Sequence, residues 1–265
     1  MRRFHLVEIE DQPWCPRVLR DAMTDYLHFV TERFGSYARA APLLADALRR
    51  LGETHIVDLC SGGGGPWPDL VRRIAAAGGP AVRVRLTDHF PNRAAFARLA
   101  KASAGAIEGE AEPVDATAVP SRLAGFRTVF TALHHFRPQT ARAILADAVR
   151  QRRGIGVFQV TYRSPLAILA MIPLVVLVFL VTPFIRPFRW SRLALTYPLP
   201  LVPLCFWLDA TVSCLRTYTL TELRALTEGL GDDDYEWSIG WVRVPLFVTP
   251  MTYVIGMPTQ PVMSS

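Results

Sequence analysis

The chain has 265 residues, enough for one large hydrophobic core or two modest ones. Its formal net charge of +6 is carried almost wholly by arginine, Lys101 being the single lysine, and no basic run interleaved with aromatics marks a nucleic-acid face. Four cysteines, Cys15, Cys60, Cys205 and Cys214, show no CxxC or Cys/His spacing, which argues against a disulfide framework and against a metal site.

The N-terminal stretch MRRFHLVEIEDQPW lacks the apolar run of a signal peptide, so a cytosolic domain with reduced thiols is expected. Residues 16–34 and 37–51 read as amphipathic helices; in the first, Leu19, Met23, Tyr26, Leu27 and Val30 recur at helical spacing. HIVDL (55–59) is a buried parallel strand by its apolar run. DLVRRIAAAGG (69–79) is a helix stopped by Gly78 and Gly79. The pattern continues with a strand at 82–88, a helix at 93–103, a weak strand within 106–116 and a strand at 127–133. A helix at 138–152, with Pro138 in its first turn, and a strand at 154–161 follow. After an apolar insert come a helix at 219–231, with Thr219 and Glu222 placed as a capping box, and strands at 235–244 and 251–257 that form a closing antiparallel pair. Seven strands alternating with helices predict an α/β, doubly wound, Rossmann-like sheet with an apolar helical insert after the fifth strand. The expected organisation is an N-terminal helical lid (1–53), a cofactor-binding core (54–162), the insert (163–216) and a C-terminal helix with closing strands (217–265).

IVDLCSGGGGPWPDL (56–70) is the strongest chemical signal, because strand, glycine loop and helix together present backbone N–H groups to a ligand. A dinucleotide fingerprint requires G-x-G-x-x-G, but Gly62 and Gly64 are followed by Trp67 where the third glycine belongs; no P-loop motif exists. The segment instead resembles motif I of class I S-adenosylmethionine-dependent methyltransferases, D-x-G-x-G-x-G, through Asp58, Gly62 and Gly64, with Cys60 in place of the first glycine. The resemblance implies S-adenosylmethionine as cofactor, held by Asp58, Cys60, Ser61, Gly62 and Gly64. It further implies Asp88, with His89 beside it, on the ribose hydroxyls, and Asp115 with the backbone of Ala116 near the adenine.

The fourth strand runs into TALHHFRP (131–138), at the end of the sheet where ligands bind in such folds. His134 and His135 are therefore candidates for a general base. Tyr26, His28 and Phe29, with Tyr37 beyond, are candidates for a lid over the cofactor and acceptor.

SPLAILAMIPLVVLVFLVTPFI (164–185) holds no charged side chain. As a helix, Pro165 to Ile185 would be about 32 Å long, enough for a bilayer core, with Pro173 expected to kink it. A second apolar run, 193–208, carries Pro198, Pro200 and Pro203, too many for one regular helix. Two full spans would also place Arg186, Arg189 and Arg192 on the far side, against the positive-inside tendency. A shallow hairpin in one leaflet is preferred, with those arginines reaching lipid phosphates and Trp190 at the interface. The alternative is a soluble protein using the segment as a lid or a homodimer interface. The sequence thus predicts a methyltransferase at the cytoplasmic face of a membrane, acting on a hydrophobic small molecule or lipid, preferentially at oxygen. Its rivals are a soluble methyltransferase of a polar metabolite and a non-catalytic S-adenosylmethionine-binding membrane module.

Overall fold

The alternation of short apolar strands with helices closes into one seven-stranded sheet in the computed structural model, which describes residues 1–231, 233–245 and 247–259. Residues 260–265 of the expected C-terminal unit lie outside the described residues. The strands are β1 (His55–Leu59), β2 (Arg83–Leu86), β3 (Ile107–Gly109), β4 (Phe126–Phe130), β5 (Ile155–Gln159), β6 (Tyr235–Val242) and β7 (Met251–Pro258), in the order β3-β2-β1-β4-β5-β7-β6. The first five are parallel; β7 runs antiparallel between β5 and β6. The sheet is the doubly wound one expected, and its direction of winding reverses between β1 and β4.

Side-chain alternation along the strands assigns the two faces. Ile56 and Phe126 pack on one face, against α2 (Ala40–Leu51), α3 (Trp67–Ala76) and α4 (Arg93–Ala102). Val57, Leu59 and Val129 pack on the other, against α5 (Pro138–Arg150) and α10 (Leu220–Thr227). The helices start where their sequences specify. Asn92 caps α4 by accepting the Ala95 N–H at 3.1 Å, and Thr219 with Glu222 forms the capping box of α10. Helix α3 begins at Trp67, two residues earlier than its apolar pattern suggests, because Pro68 sits in the first turn, where no N–H is needed.

The expected N-terminal unit divides. Helix α2 belongs to the sheet core, whereas α1 (Arg17–Phe34) packs through Leu19, Ala22, Met23 and Tyr26 on residues of the apolar insert. The insert comprises α6 (Pro165–Leu169), α7 (Met171–Val181), α8 (Trp190–Ala194) and α9 (Leu201–Arg216). Pro173 does not kink the middle of a helix. The break falls at Ala170, and Pro173 lies in the first turn of α7. The second run is also more regular than its prolines suggest. Pro198 and Pro200 precede α9, and Pro203 occupies its first turn, leaving 16 residues of unbroken helix.

One buried ion pair ties the sheet to its helical layer. Arg127 on β4 donates to Asp147 on α5 at 2.7 Å, and both side chains are fully shielded from solvent. Asp147 also accepts the Val119 N–H at 3.2 Å and the Gln151 amide at 3.0 Å. Removing one member of such a pair strands the other charge in the interior. Asp147→Ala is expected to cost about 3 to 5 kcal/mol in urea unfolding. Asp46→Ala, which breaks the exposed pair with Arg49, should cost less than about 1 kcal/mol.

Candidate functional site

The carboxyl end of β1 leads into a loop whose backbone repeatedly enters the left-handed region. Cys60, Gly62, Gly64 and Gly65 have φ of 57°, 52°, 113° and 57°. Cys60 adopts the conformation that a glycine takes more easily, which explains why the motif it replaces carries one there. At Gly64 a side chain is excluded twice over, by φ and because a Cβ would meet Leu99 Cδ1 at 2.0 Å. At Gly62 a Cβ would meet nothing within 4 Å, so that glycine borders open space.

Asp58 holds the loop. Its buried carboxylate accepts Ser61 Oγ and Thr128 Oγ1, each at 2.6 Å, and its carbonyl accepts the Thr87 N–H at 2.8 Å. Burial pushes the Asp58 carboxyl up to about 6, the two hydroxyls pull against it, and the charge of Asp88 adds to the rise. Asp88, two residues beyond β2, accepts the Gly62 N–H at 2.8 Å and the Phe90 N–H at 2.9 Å. Asp115, beyond β3, forms a local turn with Thr117, whose N–H lies at 2.8 Å and whose hydroxyl lies at 2.7 Å. These bonds hold its carboxyl below the usual range. His89 is exposed beside Phe90, and Ala116 is buried. The Cys60 thiol is pushed up first by burial and then by Asp88, Asp58 and Asp115, so the three expected acids converge on this loop.

The lid residues are distributed differently from expectation. Helix α1 does cover the loop, but through Thr24, whose Cγ2 would lie 2.9 Å from a Cβ on Gly63. Tyr26 is instead buried edge-on against Phe206 of α9, with ring centroids 4.5 Å apart, and Phe29 packs in the same cluster. His28 lies on the outer surface of α1, 3.6 Å from Glu32. Tyr37 is at the site: its hydroxyl bonds Thr131, and its ring stands edge-on to Phe130 at the end of β4. Thr131 has a φ of 43° and also accepts the Val160 N–H at 3.2 Å, joining the ends of β4 and β5.

His134 and His135 form the short turn after β4, with ring centroids 4.3 Å apart. Neither is the open imidazole expected of a base. His134 is 1% exposed, and its Nδ1 lies 3.1 Å from Gln159 Oε1. Burial first, then the charge of His135, lowers its pKa well below the ordinary range. His135 Nδ1 lies 3.0 Å from Asp11 Oδ2 and 3.4 Å from Glu8 Oε2. Burial disfavours its charge, but the bond to Asp11 and the charges of Glu8 and Asp11 outweigh that and raise its pKa. Glu8 and Asp11 come from the N-terminal segment, which no periodicity singled out. Arg216 of α9 completes the group, 3.2 Å from Glu8 and 3.3 Å from Asp11.

The membrane-facing candidates also separate. Arg186 and Trp190 are exposed. Arg192 is buried, donating to Asp25 at 2.6 Å and to the carbonyls of Ile185 and Pro187 at 2.6 and 2.8 Å. It clamps the insert to α1 and does not reach outward to lipid. Arg189 lies 3.3 Å from Asp25 and 3.5 Å from Asp21.

No family model matches the chain. A stretch of 89 residues, 32% of this chain, is 30% identical to the Arabidopsis thaliana Scarecrow-like transcription factor PAT1, of which it spans 18%. Among solved structures, the plantazolicin methyltransferase BpumL in complex with SAH is similar with a TM-score of 0.53 at 10% identity, over 95% of each chain. The O-methyltransferase NcsB1 from neocarzinostatin biosynthesis, in complex with S-adenosylmethionine and 2-hydroxy-5-methyl naphthoic acid, gives 0.52 at 13% identity, over 91% of this chain and 58% of that one. The CMeT domain of the citrinin polyketide synthase gives 0.53 at 13% identity, over 90% of this chain and 57% of that one. At these identities the likeness establishes the fold, which is that of the class I methyltransferases.

Because the folded protein holds the Asp58 proton more tightly than the unfolded chain does, this group's contribution to stability falls as pH rises from about 4 to about 6 and is level above. The stability of the native protein minus that of Asp58→Asn, measured by urea unfolding across this range, should therefore decrease with rising pH. A difference independent of pH would return Asp58 to the ordinary carboxylate range.

Proposed function

We propose that the protein is a membrane-associated S-adenosylmethionine-dependent methyltransferase, working at the cytoplasmic face of the cell membrane on an oxygen of a hydrophobic small molecule or lipid. One observation carries this reading. The end of the sheet that holds the glycine loop and its three acids is also the end from which the exposed apolar insert departs, directly after β5.

The loop residues fit the cofactor. Gly62 borders open space beside Asp88, whose two oxygens each accept one backbone N–H and retain lone pairs for ribose hydroxyls. S-adenosylmethionine, when bound, supplies the methyl group on a sulfonium centre and a neutral thioether leaving group. The protein's part is to orient and to exclude water. Asp58 and Ser61 fix the loop, Thr24 covers it from α1, and Tyr37 with Thr131 closes the neighbouring end of β4. With the Nδ1 atoms of both histidines engaged by other side chains and His134 buried, an acceptor that needs no strong base, such as a carboxylate or an acidic hydroxyl, suits the site best.

The insert supports the choice of a greasy acceptor. Pro165–Phe184 has a mean hydropathy of 2.7, yet only 17% of it is buried. Leu166, Leu169, Ile172, Val176 and Leu180 form an exposed stripe at helical spacing, and Leu201, Leu204 and Leu208 of α9 are also exposed. Exposed Phe184, Phe188 and Trp190 stand near Arg186 at the turn between α7 and α8. So continuous an apolar surface favours a lipid leaflet, with the aromatic turn near the headgroups.

Two measurements test this reading separately. Calorimetry should detect binding of S-adenosylhomocysteine, and Asp88→Ala should weaken it by about 2 to 3 kcal/mol, the loss of charge-assisted bonds. Unchanged affinity would remove Asp88 from the site, and no binding by the native protein would remove the cofactor. The native protein should float with lipid vesicles in high salt, and Val176→Glu with Leu180→Glu should reduce flotation at least about tenfold, since two large apolar side chains are lost from the contact. A monodisperse, non-floating protein without detergent would instead make the insert a lid or a dimer interface.

A further inference from the structure

The buried cluster beneath the N-terminal segment carries more polar atoms than its hydrogen bonds account for. Glu8 is 0% exposed and His134 is 1% exposed. Among the described residues, Glu8 Oε2 and His134 Nε2 have no hydrogen-bond partner. The neighbouring distances are too long to serve as hydrogen bonds or are only marginal: 3.7 Å from His134 Nε2 to Glu8 Oε1, and 3.4 Å from His135 Nδ1 to Glu8 Oε2.

The tautomer sharpens the problem. In the tautomer whose Nδ1 donates to Gln159 Oε1, His134 keeps a lone pair on Nε2. That lone pair faces the Glu8 carboxyl group, and two acceptors in a dry interior repel each other unless a proton or a metal cation lies between them. A histidine whose other nitrogen donates to a fixed acceptor, as His134 does to Gln159, is the usual form of a metal ligand with its outer partner in place.

The charges point the same way. Glu8, Glu10, Asp11 and Asp209 crowd this region from the N-terminal segment and α9, whereas Arg216 is the cation in contact with Glu8 and Asp11. Arg216 also donates to the backbone carbonyls of His134 and His135, at 3.3 and 2.6 Å, and Arg3 donates to that of His134 at 3.1 Å. Arg216 thus holds the main chain of the histidine turn and pairs with Glu8 Oε1 and Asp11, and Ser213 donates to Glu8 Oε1 at 3.1 Å, which leaves Glu8 Oε2 and His134 Nε2 without partners.

We propose that Glu8, His134 and His135, with Asp11 at the outer edge, bind a divalent transition-metal ion of the zinc class. The candidate ligand atoms of Glu8, His134 and His135 all lie within 4.8 Å of one another. Ligands about 2.0 to 2.1 Å from a tetrahedral zinc are about 3.3 Å apart. The 3.7 Å from His134 Nε2 and the 3.4 Å from His135 Nδ1 to the Glu8 carboxylate oxygens lie within a few tenths of an ångström of that edge. Two nitrogen donors and a carboxylate suit zinc better than calcium or magnesium, which take oxygen alone. Three protein ligands leave a fourth position for water, beside Asp11, which stands 3.0 Å from His135. Its effect would be to pin residues 8–11 across the turn that follows β4, one strand from the glycine loop.

The test uses full-length protein purified without a metal-affinity tag and dialysed against chelator. Titration with zinc alone should show one equivalent bound with a dissociation constant below about 1 μM and a higher melting temperature; cobalt substitution should give the visible absorption of a tetrahedral nitrogen–oxygen site. Glu8→Gln and His134→Gln should each weaken binding at least about 100-fold, and Asp11→Asn, at the exposed edge, about tenfold. Unaltered circular dichroism would certify each variant as folded. His89→Gln and His28→Gln should leave binding unchanged. The proposal is overturned if the native protein binds no stoichiometric zinc or cobalt, or if folded Glu8→Gln binds as well as native. Because no adenosyl compound is present, neither result depends on the methyltransferase reading.

Discussion

The Asp58 carboxylate is the constraint on which the ligand end of the sheet depends. It is buried at the last turn of β1, and its oxygens accept one hydroxyl from the glycine loop and one from β4. Its own carbonyl accepts both the N–H and the hydroxyl of Thr87 at the end of β2. One residue thereby fixes three neighbouring strand ends and the loop between them. A carboxylate in such a place is expensive to desolvate. It persists because the hydroxyls repay part of that cost and because the left-handed path from Cys60 to Gly65 needs a rigid anchor. Asp88 then closes the other side of the loop through Gly62, so the cradle is held from β1 and β2 at once.

The insert shows the opposite economy: its charged side chains are spent inward, and its apolar ones are left outside. Arg192 is consumed by Asp25 and two carbonyls, and Arg189 leans on Asp21 and Asp25. These bonds hold α8 to α1 without help from any lipid. Meanwhile α7 buries Val178 and leaves Ile172, Val176 and Leu180 in the open. An apolar stripe this continuous on a folded surface marks a contact face rather than a part of the hydrophobic core.

Most of the sheet was legible because strands and helices announce themselves by local periodicity, and the left-handed path of the loop because its glycines follow a strand directly. Asp88 stands two residues beyond β2, where its position in the sequence placed it, whereas Asp115 lies six residues beyond the end of β3. What escaped was non-local. Nothing in RPFRWSRLA separates Arg192, which turns inward, from Arg186, which stays outside; the difference is Asp25, 167 residues away. The prolines of 198–203 looked like helix breakers because their effect depends on where the first turn begins. Tyr26 read as a lid residue, but the face of α1 that meets the loop is marked by Thr24, and Tyr26 turns to Phe206. Glu8 and Asp11 sit in a segment without periodic structure, so only the folded chain reveals that they meet His134 and His135.

These non-local contacts share one geometry. The N-terminal segment is pinned to α9 by Asp209, which accepts the Ile9 and Glu10 N–H groups at 2.7 and 3.0 Å, and to the turn after β4 through the histidine cluster. Helix α1 follows at once and reaches both the glycine loop, through Thr24, and the insert, through Tyr26 and Asp25. Helix α1 thus contacts the glycine loop and the apolar insert at once. Any surface that engages α7 and α9 acts on the same body that covers the loop. The apolar insert, which leaves the sheet after β5, and the helix that meets the glycine loop are therefore joined through the contacts of α1.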